Sequence, residues 1–184
     1  MDKRGKLLVI SGPSGVGKST VISCLMSMMS NLEFSVSATT RAPRPGETEG
    51  VDYFFVSRER FDEMVVNNEL LEHATFVGNS YGTPRSQVEA RLAAGINVIL
   101  DIEVQGAGQV KALMPEAVTV FLAPPSLEAL EARLRGRGTE TEEVIRGRME
   151  TAAQQMELAP TYDHTVVNDD FHRAAEEIRS ILEA

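Results

Sequence analysis

Residues 10–20, ISGPSGVGKST, place three glycines, one lysine and a closing Ser19-Thr20 pair in eleven positions, directly after a short apolar run. Gly12-Pro13-Ser14-Gly15-Val16-Gly17-Lys18-Ser19 satisfies the pattern G-x-x-x-x-G-K-[ST], which has meaning only between a strand and a helix. Both flanks comply. KLLVI (6–10) reads as a buried strand, and Lys18 to Ser30 carries Val21, Ile22, Leu25, Met28 and Met29 at helical spacing.

The residue types explain what such a loop holds. Glycines let main-chain N–H groups converge on phosphate oxygens, and the following helix N-terminus adds unpaired donors and a favourable dipole. Lys18 supplies a point charge for the β and γ phosphates, and the Ser19 hydroxyl is placed for Mg2+. The expectation is a nucleoside triphosphate site over Gly12–Thr20. Many activities share that loop, so it does not name the second substrate.

Working outward, apolar runs alternate with helical patterns. INVILD (96–101) and AVTVFL (117–122) are continuous apolar strands, as a parallel sheet covered on both faces requires. Thr83-Pro84 reads as a helix start with threonine as cap and proline at the first position, and Gly95 as its stop. A helix begins near Val104, and Ser126 caps another that runs into a helical stretch ending near Leu158. HTVVN (164–168) is a last strand, and Asp169 or Asp170 caps a terminal helix. Residues 34–83 differ in texture, with short alternating pieces such as YFFVS and LLEHATF broken by proline and glycine, and read as a small sheet inserted in the larger fold. The fold expected is α/β, with layers around a parallel sheet and excursions at 34–83 and about 135–150.

Composition bounds the partners. A length of 184 residues suits one domain, and a formal net charge of −9 disfavours general binding to nucleic acid or an anionic membrane, so any anion site is local. Cys24 is the single cysteine and reads as a buried helix residue in a reducing compartment. The N-terminal stretch MDKRGKLLVI has an apolar run of only five residues, too short for a signal core or a membrane span, so a cytoplasmic location is expected. No obligatory protein partner is evident. His73, His164 and His172 show no triad or metal spacing and read as structural or surface residues.

Two arginine groups stand out in this acidic chain. Arg41 and Arg44 lie in a proline-stiffened loop, with Tyr53 nearby, and arginine's planar fork suits phosphate oxygens. Arg133, Arg135 and Arg137 crowd five positions with glycines at 136 and 138, and Arg148 follows, a pattern that reads as a mobile, phosphate-closing lid. Two basic loops and a phosphate loop suit a reaction between two anionic nucleotides.

GPSGVGKST, FSVSATTRAPRPGE, GVDYFFV, GNSYGTP, ILDIEVQGA, GRGTETEE and VNDD, in this order over about residues 5–184, resemble the guanylate kinases. The resemblance implies a P-loop three-layer fold and an ATP:GMP phosphotransferase. It divides the chain into a core (5–33, 84–134 and 151–184), a mixed β/α GMP-binding portion (about 34–83) and a lid (about 135–150). It implies that Arg41, Arg44, Tyr53 and Tyr81 hold the GMP phosphate, and that Ser37, Glu72 and Thr83 meet guanine with Asp101 and Glu103 close by. Arg133, Arg137 and Arg148 would clamp the ATP phosphates, with Asn168 near adenine and Mg2+ accompanying ATP. Lys18, Arg41, Arg137 and Arg148 would be the catalytic group. Glu103 stands where the family usually has aspartate, and Ser80 where it commonly has a tyrosine.

Physics supports guanine independently. Its N1–H and 2-amino group lie side by side, and one ionised carboxylate such as Glu72 accepts from both, whereas adenine presents a lone pair at N1 and is repelled. Read without the resemblance, Glu72 is one more polar residue in an alternating strand. The acceptor phosphate is already anionic, so no general base is needed. Asp101 supports either the Mg2+ shell or the acceptor site. The rival readings are a non-catalytic binding module of the same fold and a kinase for another nucleoside monophosphate.

Overall fold

The computed structural model describes residues 4–184; Met1–Lys3, part of the N-terminal stretch read above, lie outside the described residues. Two sheets organise the chain. The larger has the order β2-β7-β1-β8-β9, formed by β1 (Leu7–Ser11), β2 (Leu32–Phe34), β7 (Asn97–Asp101), β8 (Val118–Ala123) and β9 (His164–Val167). Every pairing in it is parallel, with Val9 opposite Leu100 and Thr119. All five residues of β1 are buried, because helices cover both faces, and this is why its sequence is a continuous apolar run.

On one face Leu8, Ile10 and Val120 pack with Val21, Ile22 and Leu25 of α1 (Lys18–Met28) and Ile178 and Leu182 of α7 (Phe171–Glu183). On the other, Leu7, Val9 and Leu100 pack with Val88 and Leu92 of α3 (Arg85–Ala93) and Val110 of α4 (Val104–Leu113). Each such side chain contributes about 1.5–3 kcal/mol on burial. Strands and helices thus stack in three layers, and the phosphate loop leaves the carboxyl end of the central strand β1.

The second sheet, order β4-β3-β6-β5, lies between residues 37 and 84 and is mixed. It contains β3 (Ser37–Thr39), β4 (Tyr53–Phe55), β5 (Leu70–Phe76) and β6 (Asn79–Pro84). The helix α2 (Arg58–Val66), which the alternating texture did not signal, packs on it through Phe61 and Met64. Ser57 caps it by accepting from the Arg60 amide.

Three expectations need correction. Thr83 does not cap α3: Pro84 takes the cap position without a side-chain bond, and the Thr83 hydroxyl is committed inside the molecule to Glu72. β5 does not alternate, because a bulge between Leu70 and His73 turns both Leu71 and Glu72 inward. Cys24 is half-buried on α1 rather than fully buried.

Other caps fall where the side chains predicted. Ser126 accepts from Ala129 at the start of α5 (Leu127–Gly136), and Asp170 accepts from Arg173 in α7. A further helix, α6 (Glu142–Glu157), leads through one 3-10 turn to β9. All three histidines are exposed. Among the described residues no helix is long and apolar enough to cross a membrane.

Candidate active site

The phosphate loop is shaped by its main chain. Gly15 and Gly17 have φ of +85° and +97°, a region that side chains with a Cβ rarely enter. A Cβ at Gly17 would also fall 2.7 Å from Asn168 Nδ2. Gly17 occupies the cap position of α1 and offers no side-chain acceptor, so the first-turn amides of that helix keep their donors for a ligand.

A cavity of about 720 Å³ opens over this loop. Lys18, Ser19, Asp101, Glu103, Arg137 and Arg148 are among the residues lining it, together with Pro13, Ser14, Gly15 and Gly17. Lys18 folds back, donating to Gly12 O at 3.1 Å with its Nζ 3.4 Å from Asp101 Oδ1. Asp101 closes β7, and Glu103 is the cap residue of α4, so both carboxylates sit at strand ends facing the loop. Arg148 of α6 reaches Ser14 Oγ at 2.7 Å and Glu140 Oε1 at 2.6 Å, which draws the arginine-rich segment onto the loop.

Other expected residues serve the loop from outside the cavity. The Arg133 guanidinium donates to Val16 O (3.1 Å) and Asn168 O (2.9 Å). Asn168, buried, donates from Nδ2 to the same Val16 carbonyl at 2.8 Å. Both residues are thus held on main-chain carbonyls, and neither lines the cavity. Gly12 and Val16 are buried beneath it, and Thr20 faces a shallow groove along α1 beside Ser23 and Phe171. Arg135 is paired with Glu131 and Glu142 on the surface.

Fit to a metal is decided by the donors. Among the described residues no cluster of three or more His, Cys, Asp or Glu side chains could cage an ion. Ser19 and Asp101 nevertheless face one cavity beside Lys18, and Mg2+ commonly keeps its waters and binds one or two protein oxygens plus substrate phosphates. That donor set fits an ion arriving with the triphosphate.

On the second sheet, Ser37 stands opposite Tyr53 and Thr39 opposite Tyr81, so both tyrosines and the loop after β3 converge. The Tyr53 and Tyr81 rings meet edge to face at 6.2 Å, and Arg41 lies 5.1 Å over the Tyr53 ring. Arg41 is fixed by Glu47, which the sequence reading missed, and its pKa is raised chiefly by that bond. Arg44 lies exposed on the same loop, its amide donating to Glu47.

Glu72 is only 8% exposed. Its Oε1 accepts from Thr83 Oγ1 at 2.8 Å, and its Oε2 lies against Gly106 in the first turn of α4. Burial raises its carboxyl pKa above the usual value, and the Thr83 bond opposes that rise. Gln109 of α4, also missed, bonds both the amide and the carbonyl of His73 and ties the bulged strand to the core. Ser80 is buried with its main chain bonded to Thr39 and Thr40, and Tyr81 keeps its place beside Tyr53.

Comparison with known proteins identifies the family. A sequence model described as guanylate kinase matches residues 4–184. The chain is 54% identical over 185 residues to the guanylate kinase of Streptococcus thermophilus, covering 100% of this chain and 88% of that one. It is 52% identical over 182 residues to that of Halalkalibacterium halodurans, covering 99% and 89%. Among solved structures, guanylate kinase from Anaplasma phagocytophilum superposes with a TM-score of 0.73 at 38% identity, covering 99% of this chain and 86% of that one. With a family match over nearly its whole length, and relatives above half identity, the chain belongs to the guanylate kinase family.

Proposed function

We propose that Glu72 selects guanine, that Arg41, Arg44, Tyr53 and Tyr81 hold the GMP phosphate, and that Lys18, Arg137 and Arg148 neutralise the ATP phosphates, dividing among them the family's ATP-dependent phosphorylation of GMP. The single observation that carries the choice of purine is the buried Glu72 carboxylate, fixed by Thr83 on one oxygen. Guanine's N1–H and 2-amino donors repay its desolvation, whereas adenine's N1 lone pair leaves it unpaired.

A GMP phosphate oxygen attacks the γ-phosphorus in line, and no protein base is required. Positioning and charge neutralisation are what remain for the protein to supply. Lys18 and the arginines act where charge shifts as the bond to the leaving ADP oxygen breaks. Bound Mg2+, held from Ser19 with Asp101 alongside, would add further charge neutralisation on the phosphates. Arg133 and Asn168 support the loop's Val16 carbonyl. The lid (about 135–150) and the GMP-binding portion (about 34–83) close around both substrates, which keeps water from the γ-phosphate. A cytoplasmic location belongs to this reading, supported by a lone cysteine with no disulfide partner.

The test is ADP release from MgATP with GMP, dGMP, AMP, UMP or IMP as acceptor. GMP and dGMP should support turnover, IMP weakly, and AMP and UMP at background. Equal rates with AMP and GMP would refute the guanine assignment. Lys18→Met should lower kcat by about 10³ while leaving the KM for GMP within about threefold.

A further inference from the structure

Glu47 sits in the loop between β3 and β4 and is absorbed by none of the roles above. It is one-fifth exposed, and its two oxygens form a fork with Arg41: Nη1 donates to Oε2 at 3.0 Å and Nη2 to Oε1 at 2.8 Å. Arg41 Nη1 also donates to Ala42 O at 3.0 Å. The Arg44 amide donates to Glu47 Oε2 at 2.7 Å, so one carboxylate ties both arginine positions of the loop together.

Counting protons shows what this leaves. A guanidinium carries five N–H donors in one plane. Two are spent on Glu47 and one on Ala42 O. The remaining two, on Nε and the outer side of Nη2, are parallel and adjacent by covalent geometry. Neither meets a carbonyl or carboxylate of the described chain; the guanidinium carbon lies over the Tyr53 ring, and the Tyr53 and Tyr81 side chains, which also help to raise the Arg41 pKa, stand beside it as further phosphate-facing groups. Such a side-on pair is the geometry arginine uses to take two phosphate oxygens at once.

We propose that Glu47 is a positioning residue for the acceptor phosphate: it occupies the end-on edge of Arg41 so that only the side-on edge is offered to the monophosphate of GMP. This rests on the assignment of Arg41 to the GMP phosphate. The cost is a carboxylate near a dianion; Arg41 and the Arg44 amide already engage its oxygens, and the exposed Arg44 guanidinium lies on the same loop. The benefit is an arginine that loses little rotamer freedom on binding.

The experiment compares Glu47→Gln, Arg41→Lys and the double variant by steady-state kinetics, each substrate varied against saturating partner, with Tm measured alongside. Glu47→Gln retains size but puts an N–H donor against the guanidinium, breaking the fork. The expected result is a KM for GMP raised about tenfold, with the KM for ATP and kcat within about threefold. In the Arg41→Lys background the same change should add nothing further, because Glu47 acts through Arg41. Glu47→Asp serves the same comparison if the Gln variant does not fold, and should raise the KM for GMP by a smaller factor. An unchanged or lowered KM for GMP in the Glu47 variants, beside a raised one in Arg41→Lys, overturns the positioning role alone. Additive effects in the double variant overturn it as well. A KM for GMP unchanged in Arg41→Lys overturns the phosphate assignment beneath it.

Discussion

On the proposed reading, the triphosphate side and the GMP side of the molecule bind anions with different material. Over the phosphate loop, shape comes from main-chain dihedrals at Gly15 and Gly17 and from carbonyls pinned by Arg133 and Asn168. On the second sheet, shape comes from side chains: Glu47 on Arg41, Thr83 on Glu72, and two tyrosine rings edge to face. A main-chain cradle takes any triphosphate tail, because every residue of the loop except Pro13 supplies the same N–H. A side-chain cradle can discriminate, because its donors and acceptors differ atom by atom. Generic binding and specific choice are therefore separable by mutation.

The largest effect expected on the GMP side is at Glu72. Glu72→Gln keeps the volume and an acceptor for Thr83 but loses the charge, and kcat/KM for GMP should fall by about 10²–10³. Stability should move the other way. The folded carboxyl has its pKa raised by burial above the usual 4.5, so the folded state binds the proton more tightly than the unfolded chain does. Wild-type stability is then lost as pH rises from that ordinary value through the raised one. The Tm advantage of Glu72→Gln should be full above the raised pKa and absent below the ordinary one. A Tm difference between the two proteins that stays constant across this pH range would mean that Glu72 is not the group titrating.

A smaller split is expected between two arginines of the same crowded segment. Arg133 makes two charged bonds to main-chain carbonyls, whereas Arg137 is exposed and lines the cavity. Bonds to a charged group contribute about 1.5–3 kcal/mol each, about 3–6 kcal/mol for the pair, so Arg133→Ala should lower Tm by roughly 6–24 °C. Arg137→Ala should lower kcat by about 10–100-fold with Tm unchanged within about 1 °C. The reverse pattern would exchange the structural and the phosphate-facing roles.

The same contrast decides what could be read from the sequence. The phosphate loop and the parallel strands were legible because glycine spacing and continuous apolar runs are local consequences of main-chain geometry and burial. The caps at Ser126 and Asp170 were legible for the same reason. Glu72's burial was not, since a bulge breaks the two-residue period at Leu71 and lets two neighbours point inward. Thr83 looked like a cap because only the fold brings its hydroxyl to a carboxylate on the adjoining strand. Arg133 carries no local mark of its carbonyl partner Val16, which lies 117 positions away. Glu47 is close in sequence to Arg41, but a loop has no period that would mark the pair.

The finest test separates two glycines of α4. Alanine in a helix interior is favoured over glycine by about 0.8–1 kcal/mol, so both Gly106→Ala and Gly108→Ala gain locally. At Gly108 a Cβ meets nothing within 4 Å, and Tm should rise by about 2–4 °C with the KM for GMP unchanged. At Gly106 a Cβ would lie 3.0 Å from Glu72 Oε2 and 3.4 Å from Ile102 Cδ1. The carboxylate is held from its other oxygen by Thr83, so it yields by tilting Oε2 away from Gly106, which shifts an acceptor that the proposed guanine contact uses. The KM for GMP should then rise about three- to tenfold, with a smaller gain in Tm than at Gly108. Equal KM values in the two variants would show that guanine recognition does not depend on where that oxygen sits, and the side-chain cradle would lose its claim to the choice of purine.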